Sequence, residues 1–318
     1  MPATYMKQSA VMNESMLENQ TRVRFRSILF ATDFSSSANL AMPYAGGLAR
    51  SFGATLYAIH VQEPINYALP PASWQSEEIT RDAELHCLTD AVRREYPEIT
   101  PHMIKGEGIV WLALADAVKR YEIDLVVIGT RGRTGVGKFL LGSQAEEILR
   151  HMTCPVLTVG PEATSKERQQ GRMRSIVFAT DFGQASLAAA PYAISLAEER
   201  ATKLALLHVV EKREAHETKM PDRCGERCEK QLEKLLPQDA KFWCDPMLIV
   251  EYGQTWEKIL EVAKKRDADL IVLGVHPPEG VPGAATHLSK ATVHKVIAYA
   301  TCPVLTIPAK PAQQSCAS

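Results

Sequence analysis

The sequence repeats itself at the scale of a whole domain. "SILFATDF" at 27–34 returns as "SIVFATDF" at 175–182, with seven of eight residues identical at an offset of 148. "TCPVLT" occurs at 153–158 and again at 301–306 with the same offset, "PYA" at 43–45 recurs at 191–193, and "HV" at 60–61 recurs at 208–209. Gly108, Trp111 and Asp124 match Gly253, Trp256 and Asp269 at an offset of 145. The second copy therefore loses three residues after its second strand and regains three between Gly274 and Thr301. A repeat of this length is two tandem domains, since solenoid units are only about 20–50 residues long. The division that follows is a flexible N-terminal extension over 1–23, a first domain over 24–160, a polar linker "PEATSKERQQGR" over 161–172, a second domain over 173–309 and a flexible tail over 310–318.

Each copy alternates strand with helix. In the first, "RSILFAT" is a short apolar strand, and Leu40, Ala41, Tyr44, Ala45, Leu48, Ala49 and Phe52 follow at helical spacing. "TLYAIHV" is a second strand, followed by a loop containing "LPPAS" and a helix near 77–95. "HMIKG" is a third strand, and Val110, Leu114, Ala117 and Tyr121 mark the next helix. "DLVVIG" is a continuous apolar run of the kind buried on both faces of a parallel sheet. A helix near 143–151 and the strand "PVLTVG" close the unit. The expected class is α/β, with two tandem doubly wound (Rossmann-like) domains, each with a five-stranded parallel sheet.

Composition narrows the function. A formal net charge of −1 over 318 residues gives no electrostatic case for nucleic acid or an anionic membrane surface as the main partner. No apolar run reaches the length of a membrane span, so no membrane insertion is expected, and the N-terminus lacks the pattern of a secretory signal. Seven scattered cysteines suit reduced thiols in a cytoplasmic protein better than a disulfide framework. Cys224 and Cys228 would share a helix face, but no second ligand pair stands nearby at zinc-like spacing, and no protein metal site is expected.

The stretch "GTRGRTGVGKFLLGS" at 129–143 carries the chemistry and can be parsed two ways. From Gly132 it reads as a P-loop with Phe139 where Ser or Thr should hold magnesium, after the fourth strand rather than the first, and with no helix required to begin at Lys138. The other parse is Gly129-x2-Gly132-x9-Gly142-Ser143. Gly129 and Gly132 let the backbone approach phosphate oxygens, and Ser143 opens a helix whose free N–H groups suit a phosphate. Arg131, Arg133 and Lys138 lie between and can neutralise phosphate charge. A glycine-rich loop with a capping serine that holds no ligand is the plainer alternative.

With "TDFS" after the first strand, "HV" ending the second and "CPVL" in the last, this motif makes the chain resemble the universal stress protein family, in its ATP-binding, tandem two-domain form. The resemblance covers about 24–160 and 173–309. It implies adenine near the first two strands and a triphosphate on the glycine loop. Carried onto this sequence, Asp33 and the backbone of Val61 would meet the adenosine, and Ile128 and Gly129 would lie under the ribose. Gly132, Gly142, Ser143 and Gln144 would meet the phosphates. Ala31 stands where the family often has proline. The implied cofactors are ATP and Mg, with Asp33 the one carboxylate that could help hold magnesium. His60 and His208 read as core or strand-end histidines without a catalytic partner.

In the second copy, Pro277 stands where Gly132 would and lacks an N–H, and Lys290-Ala291 replace Gly142-Ser143. That copy reads as degenerate for ATP although Asp181 and Val209 persist. The identical "TCPVLT" strands suggest internal pairing of the two domains as a pseudo-dimer, since an apolar edge strand needs covering. A homodimer of chains and an unknown protein partner stay open. The function expected is an ATP-binding stress-response regulator, with Mg-ATP in the first domain as a conformational or assembly switch. The alternatives are a slow ATPase or phosphotransferase, for which no general base stands out, and a nucleotide-independent scaffold.

Overall fold

The computed structural model describes residues 23–62, 71–130, 141–163, 173–200, 202–211, 221–244, 246–275 and 287–309. The first half runs β1 (Ser27–Ala31), α1 (Ser36–Phe52), β2 (Thr55–Gln62), α2 (Pro71–Glu95), β3 (His102–Glu107), α3 (Val110–Arg120), β4 (Leu125–Gly129), α4 (Ser143–His151) and β5 (Val156–Val159). The second runs β6 (Ser175–Ala179), α5 (Gln184–Arg200), β7 (Lys203–Val210), α6 (Pro221–Glu233), α7 (Ala240–Trp243), β8 (Met247–Tyr252), α8 (Thr255–Lys265), β9 (Leu270–Val275), α9 (His287–Tyr299) and β10 (Val304–Pro308). The segment "LPPAS", expected as loop, differs: α2 already begins at Pro71. Proline tolerates the first helical turn because the N–H it lacks has no intrahelical partner there.

Each half is a five-stranded parallel sheet, ordered β3-β2-β1-β4-β5 in the first and β10-β9-β6-β7-β8 in the second. The chain reverses strand order between β1 and β4, and again between β6 and β9. That is the switch point at which doubly wound sheets open a crevice beyond the strands' carboxyl ends. Apolar runs such as "LVVI" in β4 are buried throughout, as a sheet covered on both faces requires.

The halves join edge to edge. β5 pairs antiparallel with β10 in the register Val304↔Thr158, Leu305↔Leu157, Thr306↔Val156, making one ten-stranded sheet. At this seam Thr158 Oγ1 donates to the Val304 carbonyl and Thr306 Oγ1 donates to the Val156 carbonyl, each at 3.1 Å and fully buried. The internal pairing expected from the repeated "TCPVLT" is this contact. On one face a single core spans the seam, with Tyr44 and Leu48 of α1 in the same cluster as Ala190 and Ile194 of α5. On the other face each half keeps its own core, and Leu141 and Leu149 pack against both.

Chain crossings reinforce the seam. Phe25 stacks edge-on against Phe52 of its own half at 5.4 Å and lies 6.3 Å from Tyr192 of the other. Val23 N–H donates to Ser195 Oγ at 3.0 Å. Ala163, inside the stretch read as linker, is fully buried, and its carbonyl accepts the Tyr44 hydroxyl at 3.0 Å. The start of each half is clipped by the strand-four aspartate. Asp124 accepts the N–H groups of Arg26 and Ser27 at 2.7 and 3.2 Å, and Asp269 accepts those of Arg174 and Ser175 at 2.6 and 3.1 Å. Burial pushes the Asp124 carboxyl above its usual range, against the pull of these donors.

Candidate functional site

The site begins with the turn after β1, "TDFS". Phe34 has φ 60°, a left-handed conformation that costs a non-glycine residue about 1–2 kcal/mol. Three groups hold it there. Thr32 N–H continues the ladder to the Ile59 carbonyl at 3.0 Å. Thr32 Oγ1 accepts the Phe34 N–H at 2.9 Å, and Asp33 Oδ1 accepts the Ser35 N–H at 3.0 Å. His60 Nδ1 lies 2.9 Å from the Thr32 carbonyl, which can only accept, so Nδ1 carries the proton. The His60 ring packs on Phe34 at 4.7 Å. His60 is therefore a brace for the turn. The second half repeats the device, with Phe182 at φ 60° and His208 Nδ1 2.8 Å from the Thr180 carbonyl.

The turn delivers the chain to α1. Ser35 is its N-cap, accepting the Ala38 N–H at 3.2 Å. Gly129 ends β4 directly against this first turn: a Cβ at Gly129 would lie 2.8 Å from the Ser37 carbonyl oxygen. The glycine that the sequence assigned to phosphate approach is thus needed first for helix–strand contact. Beyond it, the Gly142 N–H donates to the Thr130 carbonyl at 2.9 Å, which ties the end of β4 to the start of α4. Gly142 is the N-cap of α4 and offers no side chain, so no side chain caps the first-turn N–H groups of that helix. These first-turn residues line the slot described next, and a helix N-terminus carries partial positive charge.

Between these parts lies a slot of about 140 Å³. Ala31 and Asp33 line it from β1 and its turn, Val61 from β2, Ile128 and Gly129 from β4, and Gly142, Ser143 and Gln144 from the start of α4. Eight residues expected at the site from sequence are thus brought together. Arg131, Gly132, Arg133 and Lys138 fall outside the described residues. The slot also has lining that motif reasoning missed: Thr32, Ala38, Ile59 and Thr130 near the strand ends, and Val110, Leu114, Ala145 and Ile148 on α3 and α4. Their signal was present in periodicity, since Ile59 shares a strand face with Val61 and Leu114 a helix face with Val110. Asp33 is the one acidic residue among those lining the slot, and the described residues contain no cluster of three acidic, histidine or cysteine side chains able to hold a metal. Cys228 is buried in α6 and Cys224 partly so.

The family model for the universal stress protein family matches residues 24–160 and again 173–308. The chain belongs to this family. A universal stress protein of Methanocaldococcus jannaschii is 30% identical over 139 residues, 42% of this chain and 82% of that protein. One of Thermus aquaticus is 32% identical over 139 residues, 42% of this chain and 98% of that protein. Among solved structures, a universal stress protein from Archaeoglobus fulgidus superposes with a TM-score of 0.68 at 19% identity, covering 89% of this chain and 98% of that one, a likeness of fold. No helix among the described residues is long and apolar enough to cross a membrane.

The second universal stress domain departs where the sequence does. Gly274 keeps the tight contact, with a Cβ there falling 2.1 Å from the Ala185 carbonyl oxygen. Lys290 and Ala291, aligned with Gly142 and Ser143, lie inside α9, which starts at His287. Their N–H groups sit beyond the first three helical positions, where helical bonding takes them up. Pro277 lies outside the described residues. Thr255, which stands where the first half has Val110, donates its Oγ1 to Glu211 Oε1 at 2.7 Å.

Proposed function

We propose that the first domain binds ATP in the slot between β1, β4 and α4, and that the bound nucleotide sets the conformation or assembly of a stress-response regulator. The observation that carries this reading is the convergence of an apolar slot, one carboxylate and an uncapped helix N-terminus at the sheet's switch point. Ile59, Val61, Leu114 and Ile128 supply apolar walls suited to the faces of a planar base. Asp33 stands at the turn where a base or ribose would be read. Ser143 and Gln144 open α4, where phosphate oxygens would meet backbone donors, and Arg131, Arg133 and Lys138 are the cations in the neighbouring sequence that would neutralise phosphate charge, with Gly132 between them. Magnesium would come with the phosphates, supplying charge neutralisation, with Asp33 the carboxylate among the residues lining the slot.

The binding is asymmetric, with one ATP per chain, because the second domain offers no equivalent helix start. Calorimetric titration of the full chain with Mg-ATP tests this. The expected result is a stoichiometry near one, abolished by Gly142→Val, in which the side chain crowds the N-cap. A stoichiometry near two, or parent-like affinity in a folded Gly142→Val chain, refutes it. Incubation of the complex separates the switch from the slow ATPase or phosphotransferase: retained ATP supports the switch, and steady release of ADP supports the enzyme.

A further inference from the structure

The two halves share the "TDF" turn atom for atom, yet differ in how its hydroxyl is used. In the second half the Thr180 hydroxyl accepts the Phe182 N–H at 2.9 Å and donates to Ser186 Oγ at 2.9 Å. Ser186 in turn donates to Asp181 Oδ1 at 2.6 Å, and that oxygen also accepts the Gly183 N–H at 2.8 Å. Thr180 and Ser186 are both more than nine-tenths buried, and the chain of bonds runs from them out to the exposed Asp181. In the first half the Thr32 hydroxyl accepts the Phe34 N–H in the same way. The residue in the place of Ser186 is Ala38, which has nothing to accept with. Thr32 is 7% exposed and lines the slot, and its hydroxyl proton has no acceptor among the described residues.

The exchange is tied to the helix cap. In the first half the capping hydroxyl is Ser35, at the N-cap of α1, where it accepts the Ala38 N–H. In the second half the N-cap position is Gly183, and the hydroxyl sits three residues on, at Ser186, where it also lies 3.0 Å from the Gly183 carbonyl. Moving the hydroxyl from 35 to the equivalent of 38 takes it from the cap into the lining of the slot. There it meets both the threonine and the aspartate of the turn.

We propose that position 38 determines which half is competent for ligand: alanine leaves the Thr32 hydroxyl to donate to an acceptor atom of the nucleotide, whereas serine engages both that hydroxyl and the neighbouring aspartate. Thr32 is then a binding residue of the first domain beyond the glycine loop, and the second domain is shut at the base end of its crevice as well as at the phosphate end. This inference rests on the nucleotide reading above. It predicts that the first site can be disabled by a single oxygen without touching the glycine loop.

The test is Mg-ATP titration of the full-length chain in three forms: parent, Ala38→Ser, and Ala38→Cys as a size-matched control whose thiol is a poor hydrogen-bonding partner. Thermal unfolding of each confirms the fold. The expected result is that Ala38→Ser binds fivefold to tenfold more weakly than Ala38→Cys, roughly the loss of one hydrogen bond to the ligand. Equal affinity for the two variants, or tighter binding by Ala38→Ser, overturns the inference while leaving nucleotide binding by the parent intact. Absence of binding by the parent refutes the nucleotide reading itself and this inference with it.

Discussion

Gly129 and Gly274 occupy the same place in the two halves, and the structure separates what alanine would do at each. A Cβ at Gly129 would meet the Ser37 carbonyl oxygen at 2.8 Å, and one at Gly274 would meet the Ala185 carbonyl oxygen at 2.1 Å. Ordinary contact begins near 3.4 Å, so the backbones must separate by about 0.6 Å in the first case and about 1.3 Å in the second. In both cases the obstruction is helix backbone, which cannot rotate away as a side chain can. Overpacking of this kind costs about 1–3 kcal/mol, with the smaller overlap at the low end. Removing a glycine also restricts the unfolded chain, which offsets about 0.4–1 kcal/mol where the fold accepts the residue. The net expectation is about 1 kcal/mol lost for Gly129→Ala and about 3 kcal/mol for Gly274→Ala. At about 2–4 °C per kcal/mol the second variant unfolds roughly 6–12 °C below the parent in a calorimetric scan. A Gly274→Ala chain unfolding within a degree of the parent, or one more stable than Gly129→Ala, refutes the close-approach argument.

At the seam, Thr158→Val and Thr306→Val should each cost about 1 kcal/mol by removing a buried hydroxyl bond across the β5–β10 pair, read as a shift in the denaturation midpoint at constant slope. The raised Asp124 carboxyl means that the folded state holds its proton more tightly than the unfolded one, so this group's contribution to stability is present in acid and is lost as pH rises through its folded pKa. Asp124→Asn should therefore flatten the fall in melting temperature as pH rises from about 4, and parallel curves for parent and variant would count against the assignment. Burial pushes the Cys154 thiol up to about 12, whereas Cys87 is exposed. Brief maleimide treatment of the native chain followed by peptide mass spectrometry should find Cys87 modified and Cys154 intact; equal labelling would show that β5 opens readily.

The fold was legible because its signals are local. Alternating apolar runs and helical spacing recur in both copies, and the identical "TCPVLT" strands mark the seam. The site was legible in part. Gly142-Ser143 and Asp33 sit in short motifs, and they do line one slot. What stayed hidden depends on contacts between distant segments. Gly129 reads as a phosphate-loop glycine, and only the approach of α1 shows that packing demands it. His60 offers no partner in sequence, because its partner is the main-chain carbonyl of Thr32, 28 residues earlier. The difference between Ala38 and Ser186 looks neutral on a helix until the turn folds back and places a threonine hydroxyl beside it.

The β5–β10 seam changes what dilution can do to this protein. Two separate copies meeting at such an edge would part as their concentration fell, and any ligand coupled to pairing would read that concentration. Here the partner edge is on the same chain, in a half that begins with β6 soon after β5 ends, and such tethering gives an effective concentration of the order of millimolar. Pairing is then the same at every expression level. A half whose place in the assembly is secured this way has no need of a ligand to keep it there. Its crevice is free to accumulate a serine and a displaced helix start without loss of the shared sheet.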